Sequence, residues 1–520
     1  MPESVIALII LAAAVLLFIW DRLPIAVIAL LVPLALWATG VLDLGEAVAG
    51  FGDPTVLFIA ALFVVSEALE ASGVTAAAGG LAMRLGGTNP SRLMTTVMLM
   101  AALLTALITP NGSIAALTPV IVVIAIRAHR SPSELLMPAA FAAHSGSLLM
   151  LIGSPVTVVV ADYAESTGAG HLGLFSTGPL GLVLTVATIG VVLLVGSRLV
   201  PQRSSGKALR DLGSHGALLA EHYGLDEPDE QLMQRGRGAA EFIIPPRSRF
   251  IGDVVHYGMV TESGELVVAG MHHKGRDVAG PLKLSAGDTL LFQGSWRALA
   301  NAANDPDIIA VDDPDAVRRQ AVPLGHGAKR ALSVLATMIV LLATGLVPPA
   351  VAGLLAALAM ILLRVITVEE AYEGISWTTI ILVGGMMSLS VGMTESGAAQ
   401  LLAEGLVALV GDAGPFALLA GLFAITAVLG QLISNMATAL IVIPIGVSAA
   451  AQMNISAMPI LVAIAVFAAA ALLTPVATPA NLMVQEAGGY RFNDYWKLGA
   501  PLLLLYGLVG IFLVPLLWPF

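Results

Sequence analysis

Four short strings in this 520-residue chain join helix-breaking residues to side chains that carry oxygen. They are Thr109-Pro110-Asn111-Gly112-Ser113, Gly153-Ser154-Pro155-Val156-Thr157, Ser434-Asn435-Met436-Ala437-Thr438 and Ala477-Thr478-Pro479-Ala480-Asn481, each within an apolar stretch. Pro removes a backbone donor and, with Gly, ends helices. Bare backbone at membrane depth survives only where it is buried in protein or lines a cavity. Freed carbonyls with hydroxyl and amide oxygens suit Na+, whereas half-helix N-termini and amide N–H groups suit an anion. Ser, Thr and Pro also kink and pack helices, and any one string alone reads best that way. Four of them at matching places favour a binding site.

The elements that must hold these strings are membrane spans. Hydrophobic residues make up 58% of the chain and charged ones only 11%, with a mean hydropathy of +0.92. Soluble proteins carry about 25% charged residues. No cysteine is present, which removes disulfides, thiolate metal sites and thiol catalysis. A net charge of −11 argues against nucleic-acid partners, which require a basic face. Apolar runs at 4–20, 24–41, 54–76, 135–163 and 178–198 read as spans, and the broken pair at 93–126 as a re-entrant hairpin with arms too short to cross comfortably. With the N-terminus outside, Arg22, Arg84, Arg92, Arg127, Arg130 and Arg198 all fall inside, and no outside loop holds Lys or Arg. The first apolar run lacks a basic flank and a small-residue cleavage site, so it is expected to remain as a span.

Composition changes near Pro201. Residues 202–323 hold thirteen of the 24 Lys and Arg and no spanning run, so a cytoplasmic insert is expected there. Apolar segments resume at Ala331, after Lys329 and Arg330. A shift of 324 residues lays Gly50 on Gly374, Ser72-Gly73 on Ser396-Gly397, Asn111 on Asn435 and Ser154-Pro155 on Thr478-Pro479. The expected fold is a polytopic α-helical membrane protein of two repeats, each of five spans and one re-entrant hairpin, with a small α/β domain between them. Repeat 1 occupies 1–200, with its hairpin at 93–126 and broken span at 135–163. Cytoplasmic linkers and the small domain fill 201–328, with a core near 240–310. Repeat 2 occupies 329–520, with its hairpin near 415–446 and broken span near 458–485. An odd span count makes the second repeat inverted. Lys329, Arg330, Arg364, Arg491 and Lys497 then fall inside, and the outside loops at 345–348, 395–415 and 446–457 are bare. Inverted repeats with interrupted helices are typical of secondary transporters.

These strings carry a family resemblance. Ser434-Asn435, followed by Pro444, resembles the Ser-Asn-Thr hairpin motif of the divalent anion:sodium symporter (DASS) family, within the ion transporter superfamily. The strings at 477–481 and 153–157 resemble its Gly-Thr-Pro-x-Asn breaks. The likeness covers both membrane halves, about 400 residues. It implies an elevator-type homodimer in which two hairpins and two broken helices enclose an anion and sodium ions. By position, Asn111, Ser154 and Thr157 would serve one Na+ site, with Thr109 and Gly153 beside them. Asn435, Thr438, Thr478 and Asn481 would serve a second, with Ala477. Ser434 and both hairpin Asn side chains would face the substrate, in a binding set of Asn111, Ser113, Ser154, Thr157, Ser434, Asn435, Thr478 and Asn481. Met436 stands where the family has Thr, Thr157 where it has Asn, and the first hairpin string departs almost entirely.

Charged residues near the spans are few. Glu67, Glu70 and Glu395 lie in or near the third span of each half, and His144 precedes the first break. Intramembrane ionisable groups are costly and often functional. Glu67 is the deepest and is the candidate proton carrier; Glu70 and Glu395 read as span ends near water. His144 reads as a packed histidine with a proton relay as the rival. No Lys or Arg lies in the four strings, so an anion would be neutralised by bound cations and helix dipoles.

In the insert, strand-like runs occur at 242–244, 266–269 and 290–292, with turns at Gly264, Gly275 and Gly287-Asp288. The stretch from Ile244 to Gly252, with Leu284 to Leu290, resembles the TrkA-C (RCK C-terminal) domain. Such domains are dimeric and regulatory, and some bind cyclic di-AMP; a purely dimer-stabilising role is the alternative. His272-His273 is a weak metal signal, because adjacent residues on a strand face opposite ways. Neither a phosphate-binding loop of the G-x-x-x-x-G-K-[ST] form nor a catalytic triad appears, so an enzyme is not expected.

The reading that results is a secondary active transporter of a small anion, a dicarboxylate or sulfate, with Na+ as the favoured driver. It would sit in a bacterial inner membrane among lipids, as a homodimer with a cytoplasmic regulatory domain. The rivals are a proton-coupled or exchange transporter of the same fold, a cation channel gated by the TrkA-C-like domain, and a non-transporting sensor. A channel would need a carbonyl filter, and no T-x-G-Y-G-like string occurs.

Overall fold

The computed structural model describes residues 2–20, 22–74, 89–128, 130–202, 237–261, 263–274, 276–278, 280–312, 327–410 and 413–520, together with 219, 222, 223, 314 and 317. Arg84 and Gly275 lie outside the described residues. The chain divides into two compact units, Met1–Lys207 with Gly327–Phe520, and Ala208–His326.

The first unit is helical and belongs in a membrane. Among the described residues eight helices are long and apolar enough to cross one, and shorter apolar helices accompany them. In chain order these are α1 Glu3–Trp20, α2 Ile25–Ala38, α3 Leu44–Ala49, α4 Pro54–Ala71, α5 Pro90–Leu107, α6 Pro110–Arg127, α7 Ser133–Gly146, α8 Pro155–Ser166 and α9 Gly178–Val191. The second run is α10 Ala328–Thr344, α11 Pro349–Leu362, α12 Val368–Gly374, α13 Trp377–Glu395, α14 Ala398–Val410, α15 Pro415–Leu432, α16 Asn435–Gln452, α17 Ala457–Ala469, α18 Pro479–Gly488 and α19 Tyr495–Leu508.

The helix starts explain themselves chemically. Pro at the first helical position needs no donor partner and has its φ pre-set. Asp53 caps α4 through the N–H of Thr55 at 2.7 Å, and Asn89 caps α5 through that of Ser91 at 3.1 Å. Capping boxes open α3 and α12, Asp43 with Glu46 and Thr367 with Glu370, and a shift of 324 lays one on the other. Glycines let backbones touch: a Cβ on Gly385 of α13 would lie 2.0 Å from the carbonyl oxygen of Ala29 in α2. A Cβ on Gly50 would lie 2.2 Å from that of Gly384. Packing crosses between the two runs, with α4 against α11 and α13 against α2. α9 and α19 each run into a five-residue π turn, Val192–Gly196 and Val509–Leu513.

Two expectations change. The arms of both broken pairs are full 18-residue helices, α5, α6, α15 and α16. Each is about 27 Å long at 1.5 Å per residue, so short arms no longer argue for re-entrance. The cause is Pro110 and Asn435, which begin helices where a broken stretch was expected. Residues 395–415, expected as a loop, contain the helix α14, whose alanine and leucine content favours it.

The second unit holds a five-stranded sheet. Its strands are β1 Arg237–Ile243, β2 Val254–Val255, β3 Leu266–His273, β4 Arg276–Asp277, β5 Leu282–Lys283, β6 Thr289–Ser295 and β7 Ile309–Ala310. The sheet order is β4-β3-β6-β1-β7, and β2 pairs with β5 separately. Antiparallel registers join β1 to β6 and β6 to β3, with an irregularity between Val268 and Gly270. The helix Trp296–Ala303 covers one face and contributes Trp296 and Leu299 to the core. Gly264 and Gly287 adopt positive φ at the expected turns.

Candidate functional site

Each of the four breaks ends in a helix whose first turn is capped by a hydroxyl. The Thr109 Oγ1 accepts from the N–H of Gly112 at 3.3 Å at the start of α6. Ser154 accepts from Val156 at 3.2 Å in α8, Ser434 from Ala437 at 3.2 Å in α16, and Thr478 from Asn481 at 3.3 Å in α18. A hydroxyl cap satisfies one of the orphan N–H groups at a helix start. The positive end of each helix dipole stays available to a ligand, whereas the N–H groups of Ala480, Asn481 and Leu482 in α18 are already bonded.

The structure brings some predicted residues together across the two runs of helices. Asn111 accepts through Oδ1 from the backbone N–H of Ala480 at 3.2 Å, joining the first hairpin tip to the second broken span. His144 Nε2 lies 3.2 Å from Asn481 Oδ1 and 3.2 Å from Thr478 Oγ1. Asn481 is fully buried, and its Nδ2 donates to the carbonyls of Ala471 at 2.9 Å and Thr474 at 3.2 Å. Its two donors are therefore spent on carbonyls, which fixes Oδ1 towards His144. An amide oxygen only accepts, so the His144 proton sits on Nε2. Tyr495 fixes the same segment by donating to the Asn481 carbonyl at 2.7 Å.

Other predicted residues bond within their own breaks. Ser113 is buried, with its Oγ against Thr105 Oγ1 and 3.2 Å from the Pro110 carbonyl. The Thr157 hydroxyl reaches two carbonyls, Leu151 and Ser154, each at 2.6 Å. Thr438 donates to the Ser434 carbonyl at 3.0 Å. Gly153 lies so close to the preceding turn that a Cβ would fall 2.5 Å from the Ser147 carbonyl oxygen. Ala477 is buried, and Asn435 is the half-buried first residue of α16. Glu67 is half-buried on α4 beside Gly374, where a Cβ would meet the glutamate side chain at 2.6 Å.

Sequence reasoning missed Gln431, near the end of α15. Its Nε2 donates to the Ala470 carbonyl at 3.3 Å, its Oε1 accepts from Leu473 N–H at 2.8 Å, and its carbonyl accepts from Thr474 at 3.3 Å. It splints the open chain between α17 and α18. A buried amide just ahead of a Ser-Asn helix start was the available signal. Its counterpart under the 324 shift is Leu107, so the two hairpins are fastened differently.

The packing is reciprocal. α18 of the second run packs on α6 and α7 of the first, and α8 of the first packs on α16 and α17 of the second. Chemically, such a site offers N–H groups, hydroxyls, amides and open carbonyls with no fixed charge in its four strings. Comparison with known sequences gives the family. Residues 15–466 and 414–520 match the family described as CitMHS, citrate transporter. The chain belongs to the CitMHS family. This CitMHS member is 30% identical to the uncharacterized transporter YfbS of Escherichia coli K12, over the whole of both chains. It is 28% identical, over 48% of its length and 28% of the relative's, to the probable sodium/sulfate cotransporter 3 of Chlamydomonas reinhardtii. Among solved structures, the YdaH transporter of Alcanivorax borkumensis aligns at a TM-score of 0.50 and 15% identity, over 97% of this chain and 98% of that one. That likeness concerns the fold alone.

Proposed function

We propose that this CitMHS transporter is a secondary active carrier of a small oxyanion, sulfate or a dicarboxylate, driven by Na+. The observation that carries the reading is the joining of breaks from the two runs, through Asn111 to Ala480 and His144 to Thr478 and Asn481. Anion oxygens would meet helix N-termini and the amides of Asn111 and Asn435. Sodium ions would take carbonyl and hydroxyl oxygens, including Thr109, Gly153 and Ser154 on one side and Thr438, Ala477 and Thr478 on the other. Names of relatives, sodium/sulfate cotransporter among them, support the class.

The mechanism proposed is alternating access in a homodimer of inverted repeats. Cation binding orders the breaks, the anion follows, and the hairpins with their broken spans move together against α1, α2, α10 and α11. The second unit would be a cytoplasmic, regulatory TrkA-C-like domain, with a nucleotide such as cyclic di-AMP as a ligand to test. The antiparallel strands β1, β3 and β6, over the stretches that carry the resemblance, support that reading.

The test is uptake of radiolabelled sulfate, succinate and citrate into proteoliposomes, with and without an inward Na+ gradient, beside Asn435→Ala. Sodium-dependent uptake lost in the variant supports site and coupling together. Uptake driven by a pH gradient alone would transfer coupling to Glu67, the half-buried carboxylate on α4. Uptake of neither sulfate nor succinate would end the proposed substrate class, whether or not citrate is taken up.

A further inference from the structure

The second unit carries chemistry that transport does not use. In its sheet, His272 of β3 stands opposite Thr289 of β6, and Thr289 opposite Ile243 of β1. Opposed residues share a face, as do residues two apart along a strand. Glu241 and His272 therefore emerge on one face, with Thr289 between them.

Tyr223 lies across that face. Its ring sits over Gly270, where a Cβ would come within 2.4 Å, and stacks on the His272 imidazole with centroids 4.1 Å apart and planes 4° from parallel. The Tyr223 hydroxyl donates to Glu241 Oε1 at 2.6 Å, with Thr289 Oγ1 at 3.2 Å. Burial, reinforced by the bond to Glu241, holds this hydroxyl protonated well above its ordinary range. The neighbouring His222 meets His272 edge-on at 4.6 Å. One ligand atom from each of His222, Glu241 and His272 lies within 4.8 Å of the others.

We propose that His222, Glu241 and His272 form a divalent transition-metal site. Two imidazole nitrogens and one carboxylate oxygen are a donor set that Zn2+ takes in three-ligand sites with an open fourth position. Magnesium and calcium prefer oxygen ligands alone. A carboxylate has two oxygens, so the bond from Tyr223 leaves one for the ion. That bond also supplies the orienting partner that metal ligands commonly have. His272 is 4% exposed and fixed by the stacked ring, whereas His222 is exposed. His222 is thus the ligand that closes on the ion, from the solvent side. Gly270 matters here because any side chain would displace Tyr223 and release His272.

The test uses the full-length protein in detergent, its purification tag removed and the sample stripped with chelator. Zn2+ is added, excess is removed, and bound metal is counted by mass spectrometry. One equivalent per chain is expected, lost in His222→Ala and in Glu241→Gln and retained in His256→Gln. Tyr223→Phe is expected to bind about tenfold more weakly. Because His222 is exposed, His222→Ala should unfold at the same temperature as the metal-free parent, which separates lost binding from lost fold. Parent protein that retains no zinc, or His222→Ala that retains as much as the parent, would overturn the site and leave an aromatic clamp.

Discussion

The imidazole of His144 donates from Nε2 to the side-chain oxygen of Asn481 at 3.2 Å, across 337 residues of chain. Both residues are buried, and the two carbonyls that hold the Asn481 amide leave this oxygen no other orientation. The bond couples the end of α7 to the first turn of α18, at the two breaks themselves.

Removing the imidazole leaves a buried amide oxygen unsatisfied, which costs about 1–3 kcal/mol. His144→Ala is expected to lower the unfolding temperature and to cut transport at least severalfold. His144→Gln, which keeps an N–H donor, should recover part of both. Uptake and melting measured on the same preparations decide it; equal behaviour of the two variants would show the donor to be irrelevant.

The cap hydroxyls lend themselves to a paired comparison. Thr478→Ala loses both the cap of α18 and the contact with His144, whereas Thr478→Ser keeps the hydroxyl. A lost cap costs about 0.5–2 kcal/mol. The Na+ concentration for half-maximal uptake should rise in the alanine variant and return towards the parent's in the serine variant.

Helix seams give a stability prediction. Gly385→Ala forces a Cβ to 2.0 Å from the Ala29 carbonyl oxygen, and Gly50→Ala to 2.2 Å from that of Gly384. Overpacking of this kind costs about 1–3 kcal/mol. At Gly405, where a Cβ meets nothing within 4 Å, alanine should be neutral or slightly stabilising. Thermal unfolding in detergent ranks the three.

Asp288 tests the second unit by itself. It is 1% exposed, accepts from Ser285 N–H at 2.8 Å and lies 2.8 Å from His273 Nδ1. Asp288→Ala leaves that turn donor without its partner, a loss of about 1–3 kcal/mol. Limited proteolysis should then cut within 237–312 sooner than in the parent.

The breaks were legible in the sequence because Pro, Gly and hydroxyl residues in apolar surroundings act locally. The strands at 242–244, 266–269 and 290–292 were legible for the same reason. Helix lengths at the hairpins were not. Pro110 reads equally as the end of one helix or the start of the next, and only the capped geometry at Thr109 shows it as a start. The partnership of His144 with Asn481, and of Gln431 with the chain at 470–474, depends on tertiary approach that no local spacing encodes. The shared face of His222, Glu241 and His272 was hidden similarly. His272-His273 pointed to opposite sides as expected, but the partners of His272 come from another strand and from the stretch before the sheet.

The reciprocal packing described above bears on biogenesis. α8 leans on α16 and α17, while α18 leans on α6 and α7, so each half supplies part of the cover over the other's breaks. During synthesis the first half reaches the bilayer with its interruptions lacking that part of their cover until helices more than 250 residues downstream emerge. Lipid gives those backbone groups no partners. A fragment ending near residue 200 is therefore a natural client for membrane chaperones and quality-control proteases, and co-expression of the two halves is the natural rescue.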